Sequence, residues 1–298
     1  MKKKILEYFQ EHLGDFVSGE KISKELEVSR SAIWKYMQML RADGYDFESQ
    51  SRKGYCLKVL PDQLSPEITI PNLKTIAFGR AYCYEKQIDT TNRLAKELAN
   101  HGAVEGTIVV AEEQVGGKGR LQRGWFSPAY KGMWLSIVLR PTFSPSEAPK
   151  VTFLFAVAMA KVLRRHGIDA GIKWPNDILV NNKKIVGILT ELSAEVDQIH
   201  YVVTGIGLNI NIDSDDFPDE LHKIATSMKM CTGKHWDRSK IVAEFLAELE
   251  KLYYYILKNG FEELFQEWIK LNVTLGADVL VLSGDSSYEG KAIELDSS

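Results

Sequence analysis

Between Ser18 and Tyr45 the apolar residues recur with a helical period. Ile22 and Leu26 stand four apart, Glu27 and Val28 break the pattern, and Ser29 is placed to cap a second helix. On that helix Ile33, Met37 and Leu40 form one apolar stripe, while Arg30, Ser31, Trp34, Lys35 and Gln38 share the opposite face. The period then drops to two. Phe47, a polar tip SQSRKG, and the alternation Tyr55, Leu57, Val59 predict a two-strand hairpin. PDQLSPEITIP, from Pro61 to Pro71, has three prolines and no helical period, so it is expected to link to a second domain.

Beyond the linker, strands and helices mix. TIVVA (Thr107 to Ala111), MWLSIVLR (Met133 to Arg140), IKWPNDILV, KKIVGILTELS and HYVVTGIGLNINI read as strands, with a helix from about Thr152 to His166. Hairpin-like spacing among the later strands predicts a mixed or antiparallel sheet backed by helices, an α+β arrangement and not a dinucleotide-binding pattern. In Gly205 to Asn211, the strand alternation sets Gly205, Gly207, Asn209 and Asn211 on one side. Two glycines and two amides on one face are expected to leave open space lined by hydrogen-bonding groups, a pocket floor.

Composition narrows the class. The chain has 298 residues, 45% hydrophobic and 26% charged, which suits about two folded domains and excludes disorder or a fibrous repeat. Cys56, Cys83 and Cys231 lie far apart with no C-x-x-C pair, against a disulfide scaffold or zinc site and in favour of a reducing cytoplasm. VTFLFAVAMA runs ten residues before Lys161, where a membrane span needs roughly 20, so it is expected to be a core helix. The start, MKKKILEYFQEHLGD, meets Glu7, Glu11 and Asp15 too early for a signal peptide.

Net charge is −3, and residues 1 to 60 hold 11 Lys/Arg against 9 Asp/Glu. No acidic residue falls between Ser29 and Arg41, which suits a helix lying against phosphates and base edges. Helix, turn, helix and basic wing describe a winged helix-turn-helix, with a protein-docking module as the alternative. Arg30, Ser31, Trp34 and Lys35 on the helix and Arg52 and Lys53 on the wing are the candidate DNA contacts, best used by a dimer on a two-part site.

The second chemistry lies in GGKGRLQRGW, from Gly116 to Trp125. Glycines let a backbone approach an anion and present successive N–H groups, and Lys118, Arg120 and Arg123 add full charges. The phosphate-loop pattern G-x-x-x-x-G-K-[ST] is absent, and a mobile surface turn fits the loop equally well. Other residues shift the balance. Lys173-Trp174-Pro175-Asn176-Asp177 puts two polar side chains after a Trp-Pro corner, and Lys184 opens the strand KIVGIL.

Taken in order and spacing, these residues resemble the bifunctional biotin protein ligase and biotin operon repressor family over nearly the whole chain. The features that match are Gly117-Lys118-Gly119-Arg120 with Arg123 and Trp125, Lys173 to Asp177, Lys184-Ile185-Val186-Gly187, Gly205 to Asn211, Asp89-Thr90-Thr91-Asn92, and Gln114. The resemblance implies that biotin and MgATP give biotinyl-5′-AMP, which passes biotin to a lysine of a carboxylase's biotin acceptor domain and also serves as corepressor.

It further implies roles. Arg120, Arg123 and Lys184 are the expected catalytic cations. Thr90, Thr91, Asn92, Gln114, Gly117, Lys118, Arg120, Trp125, Lys184, Gly187 and Gly205 are expected around biotin. Lys118, Arg120, Arg123, Asn176, Asp177, Asn209, Asn211 and Trp236 are expected on ATP or the adenylate, with Asp177 the candidate Mg²⁺ ligand. Operator DNA and a ligand-promoted homodimer are the further implied partners. Lys118 stands where the family more often has Arg, which keeps the charge but not the bidentate fork.

The expected domains are 1–62, a winged helix-turn-helix; 63–272, the catalytic domain; and 273–298, the first two or three strands of an incomplete SH3-like barrel. A DNA-binding sensor without chemistry and a lipoate ligase are the competing readings. The polar Thr90, Thr91 and Gln114 group favours a ureido ring over a long apolar tail.

Overall fold

The computed structural model describes residues 1–283 and 286–295. It divides into two units, Met1–Pro71 and Asn72–Ser298.

The first unit has helices α1 (Lys2–Glu11), α2 (Gly19–Leu26) and α3 (Arg30–Ala42) and a hairpin of β1 (Asp46–Gln50) and β2 (Gly54–Val59). Ser29 caps α3 as its position predicts, its Oγ accepting from the Ala32 N–H at 3.2 Å. Glu27 makes the turn in the left-handed region, at φ 53°. Helix α1 was not anticipated, yet it sends Ile5, Leu6, Tyr8 and Phe9 into a core with Ile22, Ile33, Met37, Leu40, Phe47 and Leu57.

Two expectations need correction here. Val59 is 64% exposed, because the register slips between Asp46 and Phe47 and leaves Val59 opposite Asp46. The segment expected to be a plain linker carries a short helix, α4 (Pro66–Thr69), with Pro66 in its first turn, where no N–H is needed. Ile68 of that helix packs into the same core, so apolar burial overrides the proline signal.

The second unit is built on a seven-stranded sheet of β3 (Tyr82–Ile88), β4 (Ile108–Gln114), β5 (Gly132–Leu139), β6 (Gly171–Lys173), β7 (Asp177–Val180), β8 (Lys183–Ala194) and β9 (Ile199–Asn209). The order is β3-β4-β5-β9-β8-β7-β6, with β3 and β4 parallel and every other pair antiparallel. This is the expected α+β mixed sheet. Helices α5 (Thr91–Asn100), α6 (Val151–Arg165), α7 (Met228–Thr232), α8 (Arg238–Asn259) and α9 (Glu262–Leu271) complete the layers.

Strand alternation assigns the two faces of the sheet. Val203 on β9 and Val138 on β5 pack under Ala95 and Ala99 of α5. Thr204, one residue on, faces the other way, 3.3 Å from Thr190, which is 2.9 Å from Thr152 of α6. Gly205 and Gly207 therefore lie on the α5 face, and so does the chemistry.

At the C-terminal end, β10 (Asp278–Ser283) and β11 (Ser286–Lys291) form an antiparallel hairpin. It matches the first two expected strands. Gly284, Asp285 and Asp296 to Ser298 of that expectation lie outside the described residues.

Candidate active site

The glycine loop after β4 is ordered by its own backbone. The Trp125 N–H donates to Gly117 O at 2.9 Å, Gly119 N–H to Arg123 O at 2.8 Å, and Arg123 N–H to Arg120 O at 3.2 Å. Leu121, at φ 54° and 83% exposed, and Gln122, at φ 58°, form the tip. Lys118, Arg120 and Arg123 are all exposed, and their side chains make no ion pair or hydrogen bond with any described residue. Three cations within six positions, without counter-charge, create a local field that favours an anion.

The loop leads into Trp125, whose ring rests on the glycine floor. A Cβ on Gly207 would fall 2.2 Å from Trp125 Nε1, and one on Gly187 2.9 Å from the ring. Lys184 Nζ stands 5.0 Å from the centre of the Trp125 indole and 2.7 Å from Asp177 Oδ1. The latter is an ion pair. The β7–β8 register sets Asp177 opposite Gly187, and Asn176 Nδ2 donates to Ile188 O at 2.7 Å. Loop, Trp125, Lys184, Gly187 and Asp177 thus converge.

Beside this charged group is a neutral one, where β4 ends against the start of α5. Gln114 Oε1 accepts from the Thr91 N–H at 2.9 Å and lies 3.1 Å from Thr91 Oγ1, and Gln114 Nε2 donates to Ser127 Oγ at 3.0 Å. Ser136 Oγ, fully buried on β5, is 2.7 Å from Thr91 Oγ1 and 2.5 Å from Asn92 Oδ1. Asn92 Nδ2 donates to Glu191 Oε2 at 2.8 Å and to Leu189 O at 3.2 Å, and Lys96 Nζ meets the other Glu191 oxygen at 2.6 Å. Thr90 is the N-cap residue of α5, in extended conformation.

The floor is not the open space that alternation suggested. A Cβ on Gly205 would meet Asn92 Oδ1 at 2.0 Å, so Asn92 occupies the room over Gly205 as Trp125 occupies that over Gly207. The two amides of this stretch work on the chain itself. Asn209 Nδ2 donates to Thr226 O at 2.9 Å, and Asn211 Nδ2 to Trp236 O at 2.9 Å. Trp236 does not join the loop cations: its N–H and indole N–H serve Asn211 and Thr232, and its ring packs edge-on to His166 at 4.8 Å.

Sequence reasoning missed Ser127, Ser136 and Glu191. A lone Ser inside the buried run WLSIVL was an available signal, because a buried hydroxyl needs a partner. It also missed a fully buried ion pair on the other side of β4. Arg238, first residue of α8, donates to Glu112 Oε2 at 2.9 Å and to Gly132 O at 3.0 Å, both charged side chains being 0% exposed. Tyr84 donates to Glu112 Oε1 at 3.1 Å, and burial, followed by the Glu112 charge, pushes its phenol well above the usual range.

In the first unit, Trp34 is 58% exposed, and Ser31, Lys35, Arg52 and Lys53 are exposed beside it in the expected helix-and-wing arrangement. Arg30 is the exception in detail, since its guanidinium donates to Glu20 Oε2 of α2 at 3.0 Å.

Comparison with known proteins agrees with this layout. The model of the Biotin/lipoate A/B protein ligase family matches residues 84–209, and an HTH domain model matches residues 2–56. The bifunctional ligase/repressor BirA of Bacillus spizizenii is 41% identical over 297 residues, 99% of this chain and 91% of that protein. The bifunctional ligase/repressor BirA of Escherichia coli is 29% identical, over 93% of this chain and 84% of that protein. Among solved structures, biotin protein ligase from Aquifex aeolicus in complex with biotin and ATP aligns with a TM-score of 0.61 at 28% identity, covering 71% of this chain and 86% of that one. The chain belongs to the bifunctional ligase/repressor BirA family.

Proposed function

We propose that this chain is an ATP-dependent biotin protein ligase that also acts as a biotin-responsive transcriptional repressor. The observation that carries the catalytic half is the set of unpaired cations on an ordered loop joined through Trp125 to Lys184. In the first step a biotin carboxylate oxygen attacks the α-phosphorus of ATP, the bond to pyrophosphate breaks, and biotinyl-5′-AMP forms. Two anions must meet, so positioning and charge neutralisation are what the protein supplies. Arg120 and Lys184 bridge carboxylate and α-phosphate oxygens, while Lys118 and Arg123 hold the phosphates.

In the second step the amine of an acceptor lysine attacks the acyl carbon, AMP departs, and the amine gives up a proton. The enzyme needs no nucleophile of its own for this. Thr90, Thr91 and Gln114 offer the polar ends that a ureido ring requires, and Gly117 and Gly187 leave room for the loop and Trp125. Asp177 holds the Lys184 ammonium in place. Magnesium enters with ATP as part of the substrate, with Asp177 as the proposed carboxylate beside it. Asn209, Asn211 and Trp236 act on the nucleotide indirectly, by fixing the segment that follows β9.

For the repressor half, α3 enters the major groove with Ser31, Trp34 and Lys35, and Arg52 and Lys53 of the wing contact the backbone. Arg30 reaches DNA on leaving Glu20. A homodimer favoured by the adenylate would couple the two halves, since a ligand that stabilises the dimer raises affinity for a two-part operator. No helix among the described residues is long and apolar enough to cross a membrane, and the cytoplasm is the proposed site of action.

The test is exchange of labelled pyrophosphate into ATP by the intact chain. The expected result is exchange with biotin and none with lipoate, followed by transfer to a carboxylase's biotin acceptor domain. Exchange with lipoate alone would overturn the assignment.

A further inference from the structure

The segment that follows β9 is strongly acidic. Asp213, Asp215, Asp216, Asp219 and Glu220 fall within eight residues, and unmatched they would push the segment off its seat. Its two ends are nevertheless drawn together. Lys229 N–H donates to Ile210 O at 2.9 Å, Ser227 Oγ to Ile212 O at 2.6 Å, and Asn209 Nδ2 to Thr226 O at 2.9 Å. Residues 213–226 therefore form an Ω-loop. Its inner side is apolar, with Phe217, Leu221 and Ala225 packed among Trp125, Phe126 and Trp134. Its later half is stitched to the strand end that bears Lys184. The Lys184 N–H donates to Ile224 O at 2.7 Å, Thr226 N–H to Lys184 O at 2.9 Å, and Lys183 Nζ to His222 O at 3.0 Å. The loop thus walls the corner where Trp125 meets Lys184.

The side chains that answer its charge come from outside it. Lys131, just before β5, stands 2.8 Å from Asp216 Oδ2 and 3.8 Å from Asp213 Oδ2, and Lys229 of α7 stands 2.6 Å from Asp213 Oδ2. Asp216 Oδ2 also accepts from the Asp213 N–H at 2.8 Å. Burial alone would raise the Asp216 carboxyl, yet the Lys131 bond and the Asp213 N–H outweigh it and hold it below the usual range. The Lys131 carbonyl grips the root of the loop as well, accepting from the Ile210 and Asn211 N–H groups at 3.2 and 2.7 Å. Substitution of Lys131 removes the charge and leaves these backbone bonds in place.

Resting on the ATP reading of the site, we propose that Lys131 and Lys229 are positioning residues for the nucleotide: their ammonium groups clamp Asp213 and Asp216 and so seat the Ω-loop against Trp125 and Lys184. Each acts through the loop and not on the reacting atoms. All four side chains are half-buried, so the network shifts the loop between seated and open populations by a modest factor.

The experiment uses the full chain and two readings. The first is the rate of trypsin cleavage after Lys223, an exposed residue of the loop, followed by mass spectrometry without nucleotide. Cleavage there reports how often the loop opens. The second is KM for ATP and KM for biotin in pyrophosphate exchange. K131M is expected to speed cleavage and to raise KM for ATP roughly two- to fivefold, the range of a partly exposed ion pair, with KM for biotin unchanged. D213N/D216N is expected to speed cleavage too, and once both carboxylates are gone K131M is expected to add nothing. K131R, which keeps the charge, is expected to restore both readings. Thermal melts confirm that each variant is folded.

Cleavage unchanged by K131M, a full K131M effect in the D213N/D216N background, or equal rises in the two KM values would overturn the clamp while leaving the ligase assignment intact. Absence of biotin-dependent exchange in the unaltered chain would overturn the ligase reading and the nucleotide role with it, while the cleavage rates still decide whether the clamp exists.

Discussion

Within a dozen residues, β4 and the loop after it handle charge in two opposite ways. Glu112 is fully buried and paired with Arg238, with Tyr84 as a third partner. Lys118, Arg120 and Arg123 are exposed and have no side-chain partner among the described residues. Between them, Gln114 is neutral and bonded to Thr91 and Ser127. A charge removed from water must be matched or it destabilises the fold, whereas one left in water unmatched is free for a ligand. The buried group therefore completes its electrostatics internally, and the loop cations are left without counter-charge among the described residues.

The largest effect is expected at Arg238. Replacing it by Ala strands the Glu112 carboxylate in the interior, with an expected loss of about 3–5 kcal/mol measured by denaturant unfolding. A loss under about 1 kcal/mol would mean that Glu112 is not held as a buried charge. Next comes Arg120→Ala, expected to lower the rate of adenylate formation on the order of 10²-fold. Because the side chain is exposed, stability should stay within about 0.5 kcal/mol of the unaltered chain.

Gly205→Ala is the third. Its Cβ would fall 2.0 Å from Asn92 Oδ1, so Asn92 must move; overpacking of about 1–3 kcal/mol is expected together with a raised KM for biotin. Leu121→Ser, at the loop tip, should change neither stability nor KM for either substrate, despite removing a large apolar side chain that is 83% exposed. A strong effect there would show that the tip packs against a substrate or partner.

How much of this was legible depends on how local the cause is. The α3 stripe and its Ser29 cap follow from spacing alone, and the strand expected at Thr107 to Ala111 is found at Ile108–Gln114, starting one residue later and ending three later. The convergence of Lys184, Trp125 and Gly187 was implied only by the family resemblance of the set, not by their spacing. What could not be read were pairings set by the fold: Arg238 and Glu112 are 126 positions apart, and Asn92 and Glu191 are 99 apart. Asn209 and Asn211 show the same limit from the other side. Their strand position was legible, but the alternation rule cannot say that the next segment folds back to use their amides. The missed helix α1 was local in principle, with Ile5 and Phe9 four apart, and was obscured by its lysine-rich start.

The central claim is that the loop cations serve the anionic part of the ligand and the Thr91–Gln114 group its neutral ring. Calorimetric titration of the Arg120→Ala and Thr91→Val chains with biotinyl-5′-AMP and with the neutral amide of biotin tests it most directly. Arg120→Ala is expected to weaken the adenylate at least about tenfold, ~1.4 kcal/mol, and to leave the amide nearly unchanged, while Thr91→Val weakens both alike. Equal weakening of the two ligands by Arg120→Ala would contradict it.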